Sequence, residues 1–122
     1  MGRRVLLIED EPNIVTAISF LLSRDGWEVR THHDGADAVE VIRAARPDLV
    51  ILDMLLPGRS GLDILRSLRA EPATAGLPVL MLTARGATRD RALAESSGAS
   101  RFMAKPFSNS EILASVRELV AP

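Results

Sequence analysis

The feature that most constrains this chain is an unbroken apolar run that ends in a carboxylate. Leu49–Leu52 are four consecutive apolar residues, and Asp53 follows them directly. Such a run is typical of a strand buried on both faces of a parallel sheet, and Pro57-Gly58 indicates a turn beyond it. Asp53 is therefore predicted at the carboxyl end of a central strand, where open α/β sheets bind their ligands. From this stretch alone, a simple polar strand terminator is the commoner interpretation.

Four further strands alternate with helical patterns along the chain. They are predicted at Val5–Ile8, Trp27–Thr31, Pro78–Leu82 and Ser100–Ala104, and the alternation of Trp27–Thr31 is typical of a sheet edge. Helices are predicted from Pro12 to Gly26, from Asp34 through Ala45, from Ser60 to the loop at Glu71, from Thr88 to about Ser97, and from Ser108 nearly to the end, with Glu111 completing a capping box. The alternation predicts an α/β fold. We expect a doubly wound, flavodoxin-like sheet of five parallel strands in the order 2-1-3-4-5, with five helices.

Composition narrows the class of protein. A chain of 122 residues, 47% of them apolar, is expected to form one domain over residues 1–122 and not to be disordered. The formal net charge of −1 and the lack of a concentrated basic patch argue against direct binding of nucleic acid. The absence of cysteine excludes disulfides and thiolate metal sites. Because no apolar run approaches the roughly 18 residues of a membrane span, and no signal peptide is recognisable, we expect a soluble cytoplasmic domain.

Polar side chains follow four of the five predicted strands. Glu9 and Asp10 follow the first strand, Asp53 the third, Thr83 the fourth and Lys105, the single lysine of the chain, the fifth. The carboxyl ends of parallel strands meet at one edge of the sheet, so these side chains are predicted to lie close together. The first and third strands flank the point where the strand order reverses, which is where a ligand cleft is expected.

The charges in this group indicate the chemistry that it could perform. Two carboxylates about 4 Å apart repel by roughly 4 kcal/mol at an effective dielectric of 20, and Lys105 alone cannot balance three of them. Either one carboxyl group is protonated or a divalent cation binds, and oxygen ligands favour Mg²⁺ or Mn²⁺. Asp53 could then accept a phosphoryl group as an acyl phosphate. Lys105 and the cation would neutralise the phosphoryl oxygens, and Thr83 could donate a hydrogen bond to one of them.

Four segments of the chain resemble the receiver domain of two-component response regulators. They are Val5–Glu11, Pro47–Gly58, Pro78–Ala84 and Lys105–Phe107, and the resemblance, closest in style to OmpR/PhoB-type receivers, covers essentially the whole sequence. It implies that Asp53 accepts phosphate from a sensor histidine kinase or phosphotransfer protein. It also implies a downstream output domain or effector as the second partner. Such a domain is a signalling switch that catalyses only its own phosphorylation and slow dephosphorylation.

The resemblance also implies a magnesium site. Mg²⁺ would be held by Asp10, Asp53 and the backbone carbonyl of Leu55, with Glu9 acting through a water molecule. Mn²⁺ is a possible substitute for Mg²⁺.

The same resemblance implies the parts of a conformational switch. A cis peptide before Pro106 would aim Lys105 into the site. On phosphorylation Thr83 would move toward the phosphate, and Phe102 would turn inward into the vacated space. The surface of the fourth helix, fifth strand and fifth helix would then change for a partner. The poor apolar face of the fourth helix, chiefly Ala92 and Leu93, fits an element that can shift.

Three departures from the family pattern affect these expectations. Many members carry two aspartates where this chain has Glu9-Asp10. An acidic pair often follows the Gly-Ala that opens the fifth strand, but here Ser100-Arg101 follows it, which weakens the expectation of a phosphorylation-dependent homodimer. Phe102 replaces a common tyrosine, and without the hydroxyl it is expected to make no polar contact in its outward position.

Two other functions fit these residues less well. A phosphohydrolase with an aspartyl-phosphate intermediate needs a second aspartate two positions after the nucleophile, where Leu55 cannot transfer a proton. A receiver-like module that binds partners without phosphorylation would not need the complete set of polar residues.

His32-His33 is predicted to be a solvated loop pair rather than a metal site. Three arginines are predicted to form a solvated helix face rather than a site for an acidic partner: Arg85, Arg89 and Arg91.

Overall fold

Strands and helices alternate five times through the part of the chain that the structure, a computed structural model, describes: residues 3–83 and 88–120. The strands are β1 (Arg4–Ile8), β2 (Glu28–His32), β3 (Leu49–Asp53), β4 (Val79–Thr83) and β5 (Arg101–Ala104). The helices are α1 (Pro12–Arg24), α2 (Ala38–Ala45), α3 (Gly61–Ala70), α4 (Thr88–Ser96) and α5 (Asn109–Leu119). All pairings are parallel and the order is β2-β1-β3-β4-β5, which confirms the predicted fold and places β2 at an edge.

The core has two layers, one on each face of the sheet. Every residue of β3 is buried, as the unbroken apolar run predicted. Because side chains alternate along a strand, Val50 and Leu52 face the layer under α2, α3 and α4, whereas Leu49 and Ile51 face the layer under α1 and α5. Asp53 therefore leaves a strand that is fixed from both sides.

None of the described helices is long and apolar enough to cross a membrane.

Two of the four predicted side-chain caps are present, and the Thr88 side chain, predicted to cap α4, lies outside what the structure describes. Ser60 accepts a hydrogen bond from the backbone of Asp63 at the start of α3, and Ser108 and Glu111 form the predicted capping box of α5. The cap predicted at Asp34 is wrong, because Asp34 Oδ1 accepts from the Ala36 N–H at 2.8 Å and closes a local turn instead. Helix α2 consequently starts four residues later, at Ala38.

The pair His32-His33 is only partly solvated. His32 is the last residue of β2 and is half-buried, and its Nε2 lies 2.7 Å from Asp37 Oδ1. That contact lowers the pKa of Asp37. His33 is exposed, as predicted.

Helix α4 packs weakly, as its sequence predicted. Of the side chains described in α4, only Ala94 is buried. Leu93 is half-buried, but Ala92 is exposed, so its predicted place on the inner face was wrong. The run of small and charged residues gives no clear 3.6-residue apolar period from which the inner face could be read.

One arginine that the sequence did not single out joins α3 to the turn before β5. Arg69 donates from Nε to the Gly98 carbonyl oxygen at 2.8 Å and from Nη1 to the Thr74 carbonyl oxygen at 3.2 Å. Burial lowers the pKa of the Arg69 guanidinium. Arg69 thus fixes the C-terminal end of α4 even though the helix itself is poorly packed.

The residues that depart from the family pattern before β5 are both engaged within the chain. Ser100 Oγ accepts a hydrogen bond from the Val79 N–H at 3.0 Å, which ties the starts of β4 and β5 together. Arg101 forms an ion pair with Glu118 of α5. Both residues therefore have partners within the domain, and an acidic residue at position 101 could not form the ion pair with Glu118.

Gly61 is predicted to be intolerant of a side chain, because a Cβ atom there would lie 2.1 Å from the carbonyl oxygen of Asp53. Substitution Gly61→Ala must displace the backbone beside Asp53, and we expect it to lower the free energy of unfolding by about 1–3 kcal/mol. Gly76→Ala is the matched control, because a Cβ atom at Gly76 meets no described atom within 4 Å. Its effect should stay within about 0.5 kcal/mol. Equilibrium unfolding in urea measures both, and equal effects would contradict the close-approach argument.

Candidate functional site

Three carboxylates meet where β1 and β3 end. Glu9 follows β1 and Asp53 ends β3, and the two strands pair directly with Ile8 opposite Leu52. One carboxylate oxygen from each of Glu9, Asp10 and Asp53 lies within 4.8 Å of the others. Glu9 is 0% exposed and Asp53 is 4% exposed, whereas Asp10 is open to solvent. The sheet therefore brings the predicted acidic residues together, with two of them withdrawn from water.

Lys105 reaches this acidic cluster from the end of β5. The peptide bond between Lys105 and Pro106 is cis. Lys105 Nζ lies 2.9 Å from Glu9 Oε1 and 3.2 Å from Asp53 Oδ2. A third carboxylate also contacts the ammonium group, since Glu11 Oε1 lies 3.1 Å from it.

Glu11 is a site contact that the sequence analysis missed. It is the N-cap residue of α1, but its side chain accepts no capping hydrogen bond and extends to Lys105 instead. The available signal was the run of three carboxylates after β1, of which only the first two were assigned a role. Glu11 therefore adds a negative charge on the solvent side of the ammonium group.

Burial has the largest effect on the pKa of Glu9. Burial raises the pKa of Glu9, the contact with Lys105 opposes that rise, and the neighbouring Asp53 adds to it. The ionised form is held partly by backbone donors, because Glu9 Oε2 accepts from the N–H groups of Asp10 and Glu11 at 3.0 and 3.1 Å. For Lys105, burial favours the neutral amine, but the three carboxylates outweigh burial and raise its pKa.

The loop after β3 supports the Asp53 side chain. The Leu55 N–H donates to Asp53 Oδ1 at 3.3 Å. Leu55 itself is 68% exposed. The same loop lies so close to Gly61 that a side chain at Gly61 would not fit. This close approach fixes the backbone of Asp53 and Met54.

The two residues predicted to switch lie on β4 and β5. Thr83 is 3% exposed and ends β4, and its hydroxyl donates to the Met103 carbonyl oxygen at 3.4 Å, which is a long hydrogen bond. Phe102 is half-buried on β5, and the guanidinium of Arg91 stands over its ring. Arg91 is exposed, as predicted for a solvated helix face, and so is Arg89. The expectation that Phe102 makes no polar contact on its outer side was wrong, because the Arg91 guanidinium lies over the ring. Arg85 lies outside the described residues.

The donor set fits a hard divalent cation. Glu9, Asp10 and Asp53 offer only carboxylate oxygens, which suit Mg²⁺ better than softer metals. Outside Lys105, buried Glu9 Oε1 has no hydrogen-bond partner among the described residues. One ammonium group does not balance three carboxylates, so a cation would complete the charge balance. A carboxylate beside a cation and a lysine can act as a nucleophile toward a phosphoryl group.

Removal of the Glu9 carboxylate should flatten the dependence of stability on pH. The folded pKa of Glu9 is raised, so its contribution to stability is lost as the pH rises from about 4.5 through the folded pKa. In metal-free buffer, wild type should therefore lose more free energy of unfolding between about pH 4.5 and pH 7 than Glu9→Gln. Urea unfolding at several pH values measures this loss. Glu40→Gln, on an exposed part of α2, is the control and should behave as wild type. A Glu9→Gln profile parallel to that of wild type would contradict the argument.

Comparison with known proteins gives relatives along nearly the whole chain. A Mycobacterium tuberculosis protein named "Probable transcriptional regulatory protein TcrX" is 42% identical over 116 residues, which are 95% of this chain and 49% of that protein. The DNA-binding response regulator MtrA of Mycolicibacterium smegmatis is 39% identical over 117 residues, which are 96% of this chain and 50% of that protein. The chain therefore spans about half the length of these curated relatives.

A solved structure agrees with the fold and contains a metal. The receiver domain of a Pseudomonas aeruginosa sensor histidine kinase, with a magnesium ion coordinated in its active-site cleft, superposes with a TM-score of 0.90 at 30% identity and 100% coverage of both chains. A family model described as the response regulator receiver domain matches residues 5–117. That match runs from the first strand into the last helix, and it shows that the chain belongs to the family of response regulator receiver domains.

Proposed function

We propose that this domain is a phosphorylation switch in which Asp53 accepts a phosphoryl group from a sensor histidine kinase or a phosphotransfer protein. The observation that supports it most is the buried Asp53 carboxylate with the Lys105 ammonium 3.2 Å from Oδ2. An Asp53 oxygen would attack phosphorus as the bond from phosphorus to the histidine nitrogen breaks. The product is an acyl phosphate, and the histidine ring takes up a proton when it leaves.

Each neighbouring residue has a separate part in this proposal. Lys105 would exchange its contact with Asp53 for one with a phosphoryl oxygen, and Thr83 would donate to another. Asp10, Asp53 and the backbone carbonyl of Leu55 would hold Mg²⁺, with Glu9 acting through a water molecule. Bound Mg²⁺ supplies positive charge against the phosphoryl oxygens, and Mn²⁺ is a possible substitute.

The reaction is limited to the domain itself. We assign to it its own phosphorylation and a slow loss of phosphate to water, without turnover of a separate metabolite. The residue two positions after Asp53 is Leu55, whose side chain cannot act as a general acid. A module that works without phosphorylation is the less favoured function, because nothing in it would require the contacts of Lys105 with Glu9 and Asp53.

The proposed signal leaves through the surface of α4, β5 and α5. Because one relative is a DNA-binding response regulator of twice the matched length, we infer that an output domain or an effector protein reads this surface. Contact with DNA would belong to that output. A phosphorylation-dependent homodimer would use the same surface, where Arg101 is already paired with Glu118.

Asp53→Asn should abolish phosphate uptake, because an amide oxygen is too weak a nucleophile to form the acyl phosphate. With acetyl phosphate and Mg²⁺, intact-mass analysis should give one phosphoryl adduct on wild type and none on the variant. Asp63→Asn, at an exposed position on α3, should be labelled as wild type. When a chelator is present during the incubation, no sample should acquire the adduct. Full labelling of Asp53→Asn would refute the assignment.

Mg²⁺ should stabilise the folded domain without any phosphate donor. A ligand at about 100 times its Kd adds about 2.7 kcal/mol to the free energy of unfolding, and Asp10→Asn should lose most of that gain. Melting curves with and without Mg²⁺ measure it, with Asp63→Asn as the control for removal of an exposed charge. An equal gain in wild type and Asp10→Asn would place the cation elsewhere.

A further inference from the structure

The clearest contact not explained by the proposed function joins α4 to β5. The Cζ atom of Arg91 lies 4.2 Å from the centroid of the Phe102 ring, with the guanidinium over the ring. A cation in this position is attracted by the negative face of the aromatic ring. The opposite side of Phe102 packs against the buried layer under α2, α3 and α4. The ring is therefore held between the core and a charged side chain that is itself exposed.

Phe102 and Thr83 lie on the same face of the sheet. In the pairing of β4 with β5, Met81 is opposite Phe102 and Thr83 is opposite Ala104. Since side chains two residues apart on a strand share a face, the position next to Thr83 on that face carries only the methyl group of Ala104. A ring that leaves Arg91 thus has a path along β5 toward Thr83 that no large β5 side chain blocks.

Among the described side chains of α4, little apolar surface is buried against the sheet. Ala94 is the one buried side chain among those described in α4, and Leu93 is half-buried. Arg69 fixes the turn after the helix at Gly98, which lies beyond its C-terminal end. The stack on Phe102 is thus one of the described side-chain contacts that join α4 to the sheet, beside the buried Ala94.

We propose that Arg91 is a positioning residue that holds Phe102 in its outward position and so opposes the phosphorylated conformation. This inference rests on the proposed function, because it concerns the regulation of the site at Asp53. Any contact made only in the outward state must weaken the binding of a ligand that favours the inward state, by at most the factor by which it stabilises the outward state. Loss of the stack should therefore strengthen the binding of a phosphoryl mimic at Asp53 by about two- to fivefold, the range for an exposed cation–π contact.

The test compares Arg91→Met, which removes the charge and keeps an unbranched stem, with Arg91→Lys, which keeps a cation. Arg89→Met is the matched control, because Arg89 is also exposed on α4 and residues two apart on a helix point in different directions. Beryllofluoride with Mg²⁺ serves as the phosphoryl mimic. The protein carries three phenylalanines, so 4-fluorophenylalanine gives three fluorine resonances, and Phe102→Leu identifies that of Phe102.

We expect Arg91→Met to shift the Phe102 resonance without any ligand and to lower the beryllofluoride midpoint about two- to fivefold. Arg91→Lys should restore part of the wild-type behaviour, and Arg89→Met should match wild type. In a Phe102→Leu background, Arg91→Met should have no effect on the midpoint. Circular dichroism melting confirms that each variant is folded.

Other results would overturn the inference. An unmoved Phe102 resonance with an unchanged midpoint would show that Arg91 does not position the ring. Equal tightening by Arg91→Met and Arg89→Met would show a general effect of charge. If no variant binds beryllofluoride, the proposed function at Asp53 fails, and the resonance of the unliganded protein still decides whether Arg91 holds the ring.

Discussion

The structure depends on the burial of two carboxylates side by side, Glu9 and Asp53, at the point where the strand order reverses. An ion pair at such a place must offset the loss of hydration of each charge, which costs several kcal/mol per ion. The positive charge that compensates for this loss of hydration belongs to Lys105, which comes from a strand that is not adjacent to β3. Lys105 follows β5, which is separated from β3 by β4, and neighbouring strands lie about 4.8 Å apart. The Lys105 side chain must therefore reach past the end of β4, where the Lys105 backbone N–H donates to the Thr83 carbonyl oxygen at 2.8 Å. Because Lys105 must balance the carboxylates at the ends of β1 and β3, its backbone lies beside Thr83, the residue that is proposed to sense phosphate.

The two layers of the core differ in how tightly their helices pack against the sheet beside this site. Helices α1 and α5 cover an apolar layer that includes Leu49, Ile51 and Met103, and the capping box fixes the start of α5. On the other face, α2 and α3 are well buried, but α4 contributes little to its layer. Such an unequal division would permit a local shift on the α4 side, because a uniformly packed shell resists one.

The sequence predicted the sheet better than it predicted the contacts between its elements. Apolar runs that end in polar residues locate the strands because burial on both faces leaves only that pattern, and the cap at Ser60 follows from local chemistry. The cap at Asp34 failed because a short carboxylate can equally close a turn two residues ahead. The inner face of α4 failed because a helix of small and charged residues carries no clear period. The contacts that the sequence could not reveal depend on two separate elements at once: Lys105 with Glu11, Arg69 with Gly98, and Arg91 with Phe102.

The switch proposed at β4 and β5 would involve only small changes in free energy. The hydroxyl of Thr83 gives up only a hydrogen bond of 3.4 Å to Met103 if it turns toward Asp53, and bonds of that length are weak. A hydrogen bond to a charged phosphoryl oxygen is worth about 1.5–3 kcal/mol, whereas an exposed cation–π contact such as that of Arg91 is worth about 0.5–1 kcal/mol. The proposed gain at Thr83 exceeds the loss at Phe102 by a small margin. If Arg91 holds Phe102 as proposed, that contact favours the outward state by an amount that one hydrogen bond to a phosphoryl oxygen can exceed.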